Sequence, residues 1–215
     1  MRFSPGFAVK LIQLIFCFAA IMLLAALLKK KKKMYQEVKY VSAEEALSVV
    51  QSHNRVFVHG SACTPLHLLR ELAKQKDRLR DVELVFITVQ GDIEVDKAEY
   101  KDSFHINSMF VSESIRHAVS EGNADFIPVF LSDIPDLFKK EILQLDVALI
   151  QVSPPDEHGY CSLGVSVDIA RSAVAMAKHV IAQVNPQMPR THGDGAVHTS
   201  RFTHIVMHEE ILPQV

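Results

Sequence analysis

From Met34 onward the chain alternates between short apolar runs rich in β-formers and stretches whose apolar residues recur at helical spacing. Ser42-Ala43-Glu44-Glu45 has the form of a capping box and predicts a helix starting at Ser42, with Ala46, Leu47, Val49 and Val50 on its apolar face. Residues 55–59 (RVFVH) read as a short buried strand and Gly60 to Thr64 as a turn. Pro65 stands where a first helical residue belongs, with Thr64 as N-cap and Leu66, Leu68, Leu69 and Leu72 following. Residues 83–89 (ELVFITV) form a second strand. Ser112 caps a helix running to about Ser120, ended by Gly122. Residues 125–131 (DFIPVFL) are strand-like, and Pro128 marks an edge or a strand end. A short helix over 134–143 with Pro135 near its start, a strand over 146–152 (DVALIQV), an alanine-rich helix over 168–178, a strand over 179–184 (HVIAQV) and a last strand over 202–207 complete the pattern.

This alternation predicts an α/β fold with a mostly parallel sheet and helices on both faces. The near-continuous apolar run of residues 146–152 is what a strand covered on both sides requires. Right-handed crossovers place the loops that follow the strands along one edge, and such sheets bind ligands beyond the carboxyl ends of their strands. Three loops are therefore of interest. The first, His59 to Pro65, combines a glycine with the free N–H groups of a helix start, which suits an anion. It has neither the P-loop lysine nor a G-x-G-x-x-G. The second, Ser153 to Gly164, is long, with two prolines stiffening the turn and two glycines permitting close backbone approach. The third, Asn185 to Gly195, mixes Arg190, His192 and Asp194 with glycine and proline. Gly60, Thr64, Asn185 and Arg190 are the candidate substrate-binding residues, and the Arg190 guanidinium suits a substrate carboxylate. The plainer reading of Arg190 is a surface ion pair or a domain contact.

The N-terminal part is different. Residues 11–28 are apolar apart from Gln13, and the lysine block 29–33 follows. A helix of that length spans about 27 Å, enough for a hydrocarbon core. The expected organisation is one hydrophobic, transmembrane-type helix with its lysine block over 1–33 and an α/β domain over 34–215. Lysines on the C-terminal side place that domain in the cytosol, with the chain anchored in a membrane through residues 11–28. The absence of acids before Glu37 keeps a mitochondrial presequence as the alternative, and Met34 as the true start is a third.

Composition narrows the function classes. In a chain of 215 residues the formal net charge is −2, which disfavours a broad nucleic-acid footprint. The 3 cysteines show no metal-knuckle or redox spacing and read as free thiols; Cys63, just before a helix, is the one position where a reactive thiol is conceivable. Among the 11 histidines, His204 and His208 have a spacing that converges only on a helix, while their segment reads as a strand, so no metal site is expected.

The runs 146–168 (DVALIQVSPPDEHGYCSLGVSVD) and 181–194 (IAQVNPQMPRTHGD) resemble the N-terminal domain of the acetyl-CoA hydrolase/transferase family, whose members include 4-hydroxybutyrate, acetate and succinate CoA-transferases. Residues 55–65 (RVFVHGSACTP) and 130–135 (FLSDIP) match the same domain in the same order. The resemblance implies a CoA-transferase-like fold and one half of a cleft between two similar α/β domains. It implies transfer of coenzyme A between an acyl-CoA and a short-chain carboxylate, both as substrates, with no covalently bound cofactor. A glutamate carboxylate attacks the thioester, giving a mixed anhydride and then an enzyme–CoA thioester. The family carries that glutamate and its glycine-rich CoA loop in the second domain, so no catalytic residue is assigned here, and Glu209 and Glu210 read as a solvated linker. Partners implied are the acyl-CoA, a small carboxylic acid, and a second α/β domain or another copy of the chain. The alternatives are a catalytically inactive homologue serving as a binding or regulatory module, and half of an acetyl-CoA hydrolase.

Overall fold

A computed structural model describes residues 38–213. The apolar run 11–28, its lysine block and the membrane or mitochondrial expectations attached to them lie outside the described residues. Among the described residues no helix is long and apolar enough to cross a membrane.

The centre is a seven-stranded sheet in the order β4-β3-β2-β1-β5-β7-β9, with every neighbouring pair parallel. Its strands are β1 (Arg55–Val58), β2 (Val82–Phe86), β3 (Phe104–Ser108), β4 (Ala124–Phe126), β5 (Val147–Val152), β7 (His179–Val184) and β9 (His204–Met207). The remaining pair, β6 (Tyr160–Ser162) and β8 (Ala196–His198), forms a small antiparallel ribbon. All six residues of β5 are buried, which is why it reads as an unbroken apolar run in the middle of the sheet.

The two faces are covered by different helices. On one side α1 (Ala43–Leu47), α2 (Leu66–Ala73) and α3 (Arg116–Ser120) pack over Val56, Leu84, Ile106, Leu149 and Ile181. On the other, α4 (Ile134–Lys139) and α5 (Ala170–Met176) cover Phe57, Val85, Ile150 and Ala182. Phe57 meets Phe138 of α4 edge-to-face, ring centroids 6.2 Å apart. Burying an aromatic side chain of this kind contributes about 1.5–3 kcal/mol. The Ser42 hydroxyl accepts from the Glu45 amide at 3.1 Å, as the capping box requires.

Several local expectations are corrected. Helix α2 begins at Leu66 with no side-chain cap, because the Thr64 hydroxyl turns back to donate to the Ser61 carbonyl at 2.7 Å. Ser112 does not cap with its side chain; a 3₁₀ turn over Glu113–Ile115 precedes α3. Strand β3 and the β6–β8 ribbon carry no apolar period that announces them. On β3, His105 is exposed and pairs with Asp125 at 3.0 Å, while Asn107 donates to Glu83 at 2.9 Å, so this part of the sheet face is polar rather than covered by a helix. Pro128 follows an edge strand, as its position suggests.

Candidate functional site

Strands β1, β5 and β7 are neighbours and parallel, so the loops leaving their carboxyl ends, at Gly60, Ser153 and Asn185, emerge along one rim. The three loops meet at Cys63. Its thiol donates to the Leu163 carbonyl of the second loop at 3.4 Å and lies 4.0 Å from the Met188 sulfur of the third. Burial pushes the Cys63 thiol up to about 11 and the Cys161 thiol up to about 12, so both stay protonated at neutral pH and act as packing groups, not nucleophiles.

Beneath the rim runs a buried polar row: His59, Thr64, Gln151, Gln183 and Asn185, all without solvent exposure. The Gln151 amide N–H donates to His59 Nδ1 at 3.3 Å, so the ring proton sits on Nε2, where it donates to the Ser166 carbonyl at 2.6 Å. Both ring nitrogens are used, and burial lowers the His59 pKa, keeping the imidazole neutral. Gln151 Nε2 donates to the Thr64 carbonyl at 3.3 Å, and its Oε1 accepts from Gln183 Nε2 at 3.2 Å and Asn185 Nδ2 at 2.8 Å. Gln183 Oε1 accepts the Leu68 amide in the first turn of α2 at 3.3 Å, meeting one of the donors a helix start leaves over. Every member has a partner, which makes the row rigid; a half-satisfied row would be costly.

The candidate residues fall on this frame in different ways. Gly60 is buried, and a Cβ there would stand 2.8 Å from the Thr88 carbonyl oxygen, so glycine is what lets β1 approach the loop after β2. The Thr64 hydroxyl donates to Ser61 and accepts the Gln90 amide at 3.1 Å. The Asn185 amide is spent on Gln151 and Glu210. Neither side chain reaches solvent. Arg190 does, and its fork is already engaged. Nη2 donates to Asp156 Oδ2 at 2.8 Å and the Tyr160 carbonyl at 2.7 Å, and Nη1 to the Pro154 carbonyl at 3.1 Å. Burial would raise the Asp156 pKa, but the amides of Tyr160 and His158 together with Arg190 outweigh it and hold the carboxyl below its ordinary value.

Arg190 thus clamps the second loop to the third. The same two loops are stitched by Ser162 Oγ with Thr191 Oγ1 at 3.0 Å and by Thr191 Oγ1 donating to the Gly164 carbonyl at 2.9 Å. Gly164 has φ +71°, and Met188 lies where its side chain would be, 2.0 Å from a notional Cβ.

Glu210 is the residue the sequence reading misses. Far from being a solvated linker, its side chain is 14% exposed, with one carboxylate oxygen accepting from Gln183 at 2.6 Å and the other from Arg70 at 3.0 Å. Nearby, the His67 and His208 rings stack 3.7 Å apart. Glu210's partners come from α2 and β7, distant in sequence, so no local motif signals the network.

An open parallel α/β sheet with its elaborate loops gathered at one carboxyl rim belongs to the class of proteins that bind ligands at that rim. The chain belongs to the acetyl-CoA hydrolase/transferase family, matching the description "acetyl-CoA hydrolase/transferase N-terminal domain" over residues 26–215. It is 43% identical over 164 residues to a succinyl-CoA:acetate/propanoyl-CoA:succinate CoA transferase of Fasciola hepatica, covering 75% of this chain and 34% of that protein. It is 43% identical over 174 residues to the 4-hydroxybutyrate coenzyme A transferase of Clostridium kluyveri, covering 81% of this chain and 40% of that one. The crystal structure of RipA from Yersinia pestis superposes with a TM-score of 0.77 at 29% identity, over 86% of this chain and 45% of the other. The chain therefore spans less than half the length of these relatives and is a partial CoA-transferase domain.

Proposed function

We propose that this chain supplies one wall of an acyl-CoA:carboxylate CoA-transferase site, the second wall and the nucleophilic carboxylate coming from a second α/β unit. The observation that carries the reading is the meeting of the three rim loops at Cys63, with Leu163 and Met188 brought onto it from the other two. It joins, in the interior just under the rim, segments that the sequence scatters between Gly60 and Arg190. The substrate class, an acyl-CoA with a small carboxylic acid as acceptor, is supported by the printed names of the Fasciola and Clostridium relatives.

On this reading Gly60, Thr64 and Asn185 hold the rim in shape from below, and Arg190 meets the substrate side. The fork of Arg190 fixes the loops, while its Nε has no protein acceptor among the described residues and is available to a carboxylate. Glu210 is not the nucleophile, since both carboxylate oxygens are held by Gln183 and Arg70. The thioester is attacked by a carboxylate of the second unit, CoA departs as its thiolate, and the thiolate then attacks the anhydride to release the first acid and leave an enzyme–CoA thioester. A rigid rim favours such chemistry because the reacting groups are held in place before the step begins.

The test is complementation. The chain is joined to the part of the Clostridium kluyveri enzyme that it does not match, and CoA transfer from an acyl-CoA to acetate or 4-hydroxybutyrate is measured. Transfer above the level of either piece alone supports the proposal; a folded fusion that binds no acyl-CoA and transfers none rejects it. In an active fusion, Arg190→Ala raises the KM for the acceptor acid, and an unchanged KM removes Arg190 from the carboxylate site.

A further inference from the structure

Between the β6–β8 ribbon and α5 lies a cavity of about 300 Å³, walled by Tyr160, Arg171, Val174, Val197, His198 and Arg201. Its chemistry is one-sided. Arg171 uses Nη1 on the Ala196 carbonyl at 2.6 Å, and Arg201 uses Nη2 on the carbonyls of Ala175 and Ala177, at the end of α5. Arg171 Nε and Arg201 Nε and Nη1 have no protein acceptor among the described residues. His198 Nδ1 accepts the Ser200 amide at 3.2 Å, which puts its proton on Nε2. Tyr160 packs against the His198 ring, centroids 5.0 Å apart, and its hydroxyl has no protein partner among the described residues. The cavity is therefore lined by two guanidiniums, a phenol and an imidazole over an apolar floor of Val174 and Val197. The one acid paired with either arginine among the described residues is Asp194, which is 3.9 Å from Arg171 with its side chain 92% exposed.

We propose that this cavity binds a phosphate monoester. Two guanidiniums with spare N–H groups and a phenol suit a ligand that only accepts, and a phosphate brings three strong acceptor oxygens and close to two negative charges at neutral pH. Arginine forks match phosphate geometry, and the apolar floor takes the organic body of the ester. The volume is at the small end of ligand pockets, so the body is compact. Asp194, on the glycine-flanked end of the third loop, is the internal anion that the ligand displaces. The site lies on the ribbon and α5, apart from the loop junction at Cys63, and does not depend on the transferase reading.

Isothermal titration of the full chain with inorganic phosphate and with phenyl phosphate tests it, with benzoate as the carboxylate control. Both phosphates are expected to saturate one site and compete for it, phenyl phosphate binding the tighter. Arg171→Gln and Arg201→Lys each weaken binding at least about tenfold, the first by removing a fork and the second by replacing it with a point charge. Arg116→Gln, on the opposite face of the sheet, changes nothing. Absence of saturable binding overturns the proposal, as does equal weakening by Arg116→Gln, which would mean diffuse surface charge. Benzoate binding as tightly as phenyl phosphate overturns the phosphate assignment. Should Arg201→Lys loosen α5, seen as a lowered Tm, the exposed Arg171→Gln variant decides alone.

Discussion

Asn185 grips the main chain of Glu210 with both ends of its amide: Nδ2 donates to the Glu210 carbonyl at 2.8 Å and Oδ1 accepts the Glu210 amide at 3.3 Å. The residue that opens the third loop thus fixes the segment leaving β9, while the Glu210 side chain reaches back to Gln183 and to Arg70 on α2. Truncation to Asn185→Ala removes these bonds and leaves half-buried main-chain groups of Glu210 unpaired. The expected cost is about 2 kcal/mol. Urea unfolding measures it; a change below about 0.5 kcal/mol would mean that the pairing holds nothing.

Gly60 is expected to be intolerant of even one added methyl. Gly60→Ala puts a Cβ against the Thr88 backbone oxygen, which is not the flexible end of a side chain, so β1 or the loop after β2 must shift. Overpacking of this kind costs about 1–3 kcal/mol. A lowered Tm with faster amide exchange around residues 60–64 and 88–90 is the expected outcome, and a wild-type Tm would contradict it.

Arg190 and Asp156 are predicted to behave as one unit. Both are partly exposed, with side chains 40% and 33% accessible, so breaking the pair costs less than about 1 kcal/mol of global stability. Local order suffers more. Arg190→Gln and Asp156→Asn should each speed amide exchange over residues 154–162 and 188–191, and the double variant should add little to either. Full additivity would show that the two do not act together.

Stability should fall as the pH drops below about 6.5, the ordinary histidine value. Burial lowers the folded-state pKa of His59, so in this range the unfolded chain binds a proton that the folded chain does not. The sign is fixed: stability is complete above the unfolded pKa and is lost below it, at up to about 1.4 kcal/mol per pH unit for one such group. His67, lowered by burial and by His208, adds in the same direction. Urea midpoints of wild type and His59→Asn from pH 8 to 5 check this. The variant starts less stable, having lost the bonds to Gln151 and Ser166, but its slope is shallower; equal slopes would exclude His59 as the source.

How much was legible in the sequence depended on whether an element's reasons were local. Strands β5 and β7 announce themselves because both faces are covered, leaving VALIQV and HVIAQV almost without polar interruption. The crossover rule puts the loops after Gly60, Ser153 and Asn185 along one edge of the sheet; that β1 lies directly beside β5 comes from the strand order, which no local pattern announces. Strand β3 escapes because His105 and Asn107 face a polar stretch beside Glu83 and Asp125. The β6–β8 ribbon escapes because three-residue strands are too short to show a period. Thr64 before Pro65 looks like a helix cap, yet Gln90 and Ser61, one of them far along the chain, claim its hydroxyl. Gln151, Gln183 and Glu210 look unremarkable one by one; their role comes from register, with Gln151 directly opposite Gln183 across the β5–β7 ladder.

The central claim, that the loops from Gly60, Ser153 and Asn185 form one acyl-CoA-facing wall, is tested most directly by hydrogen–deuterium exchange on the active fusion enzyme with and without acyl-CoA. Simultaneous protection of residues 59–66, 153–164 and 185–191 is the predicted result. Protection that leaves all three loops unchanged, or that falls at the opposite ends of the strands near residues 53–55 and 145–147, would contradict it.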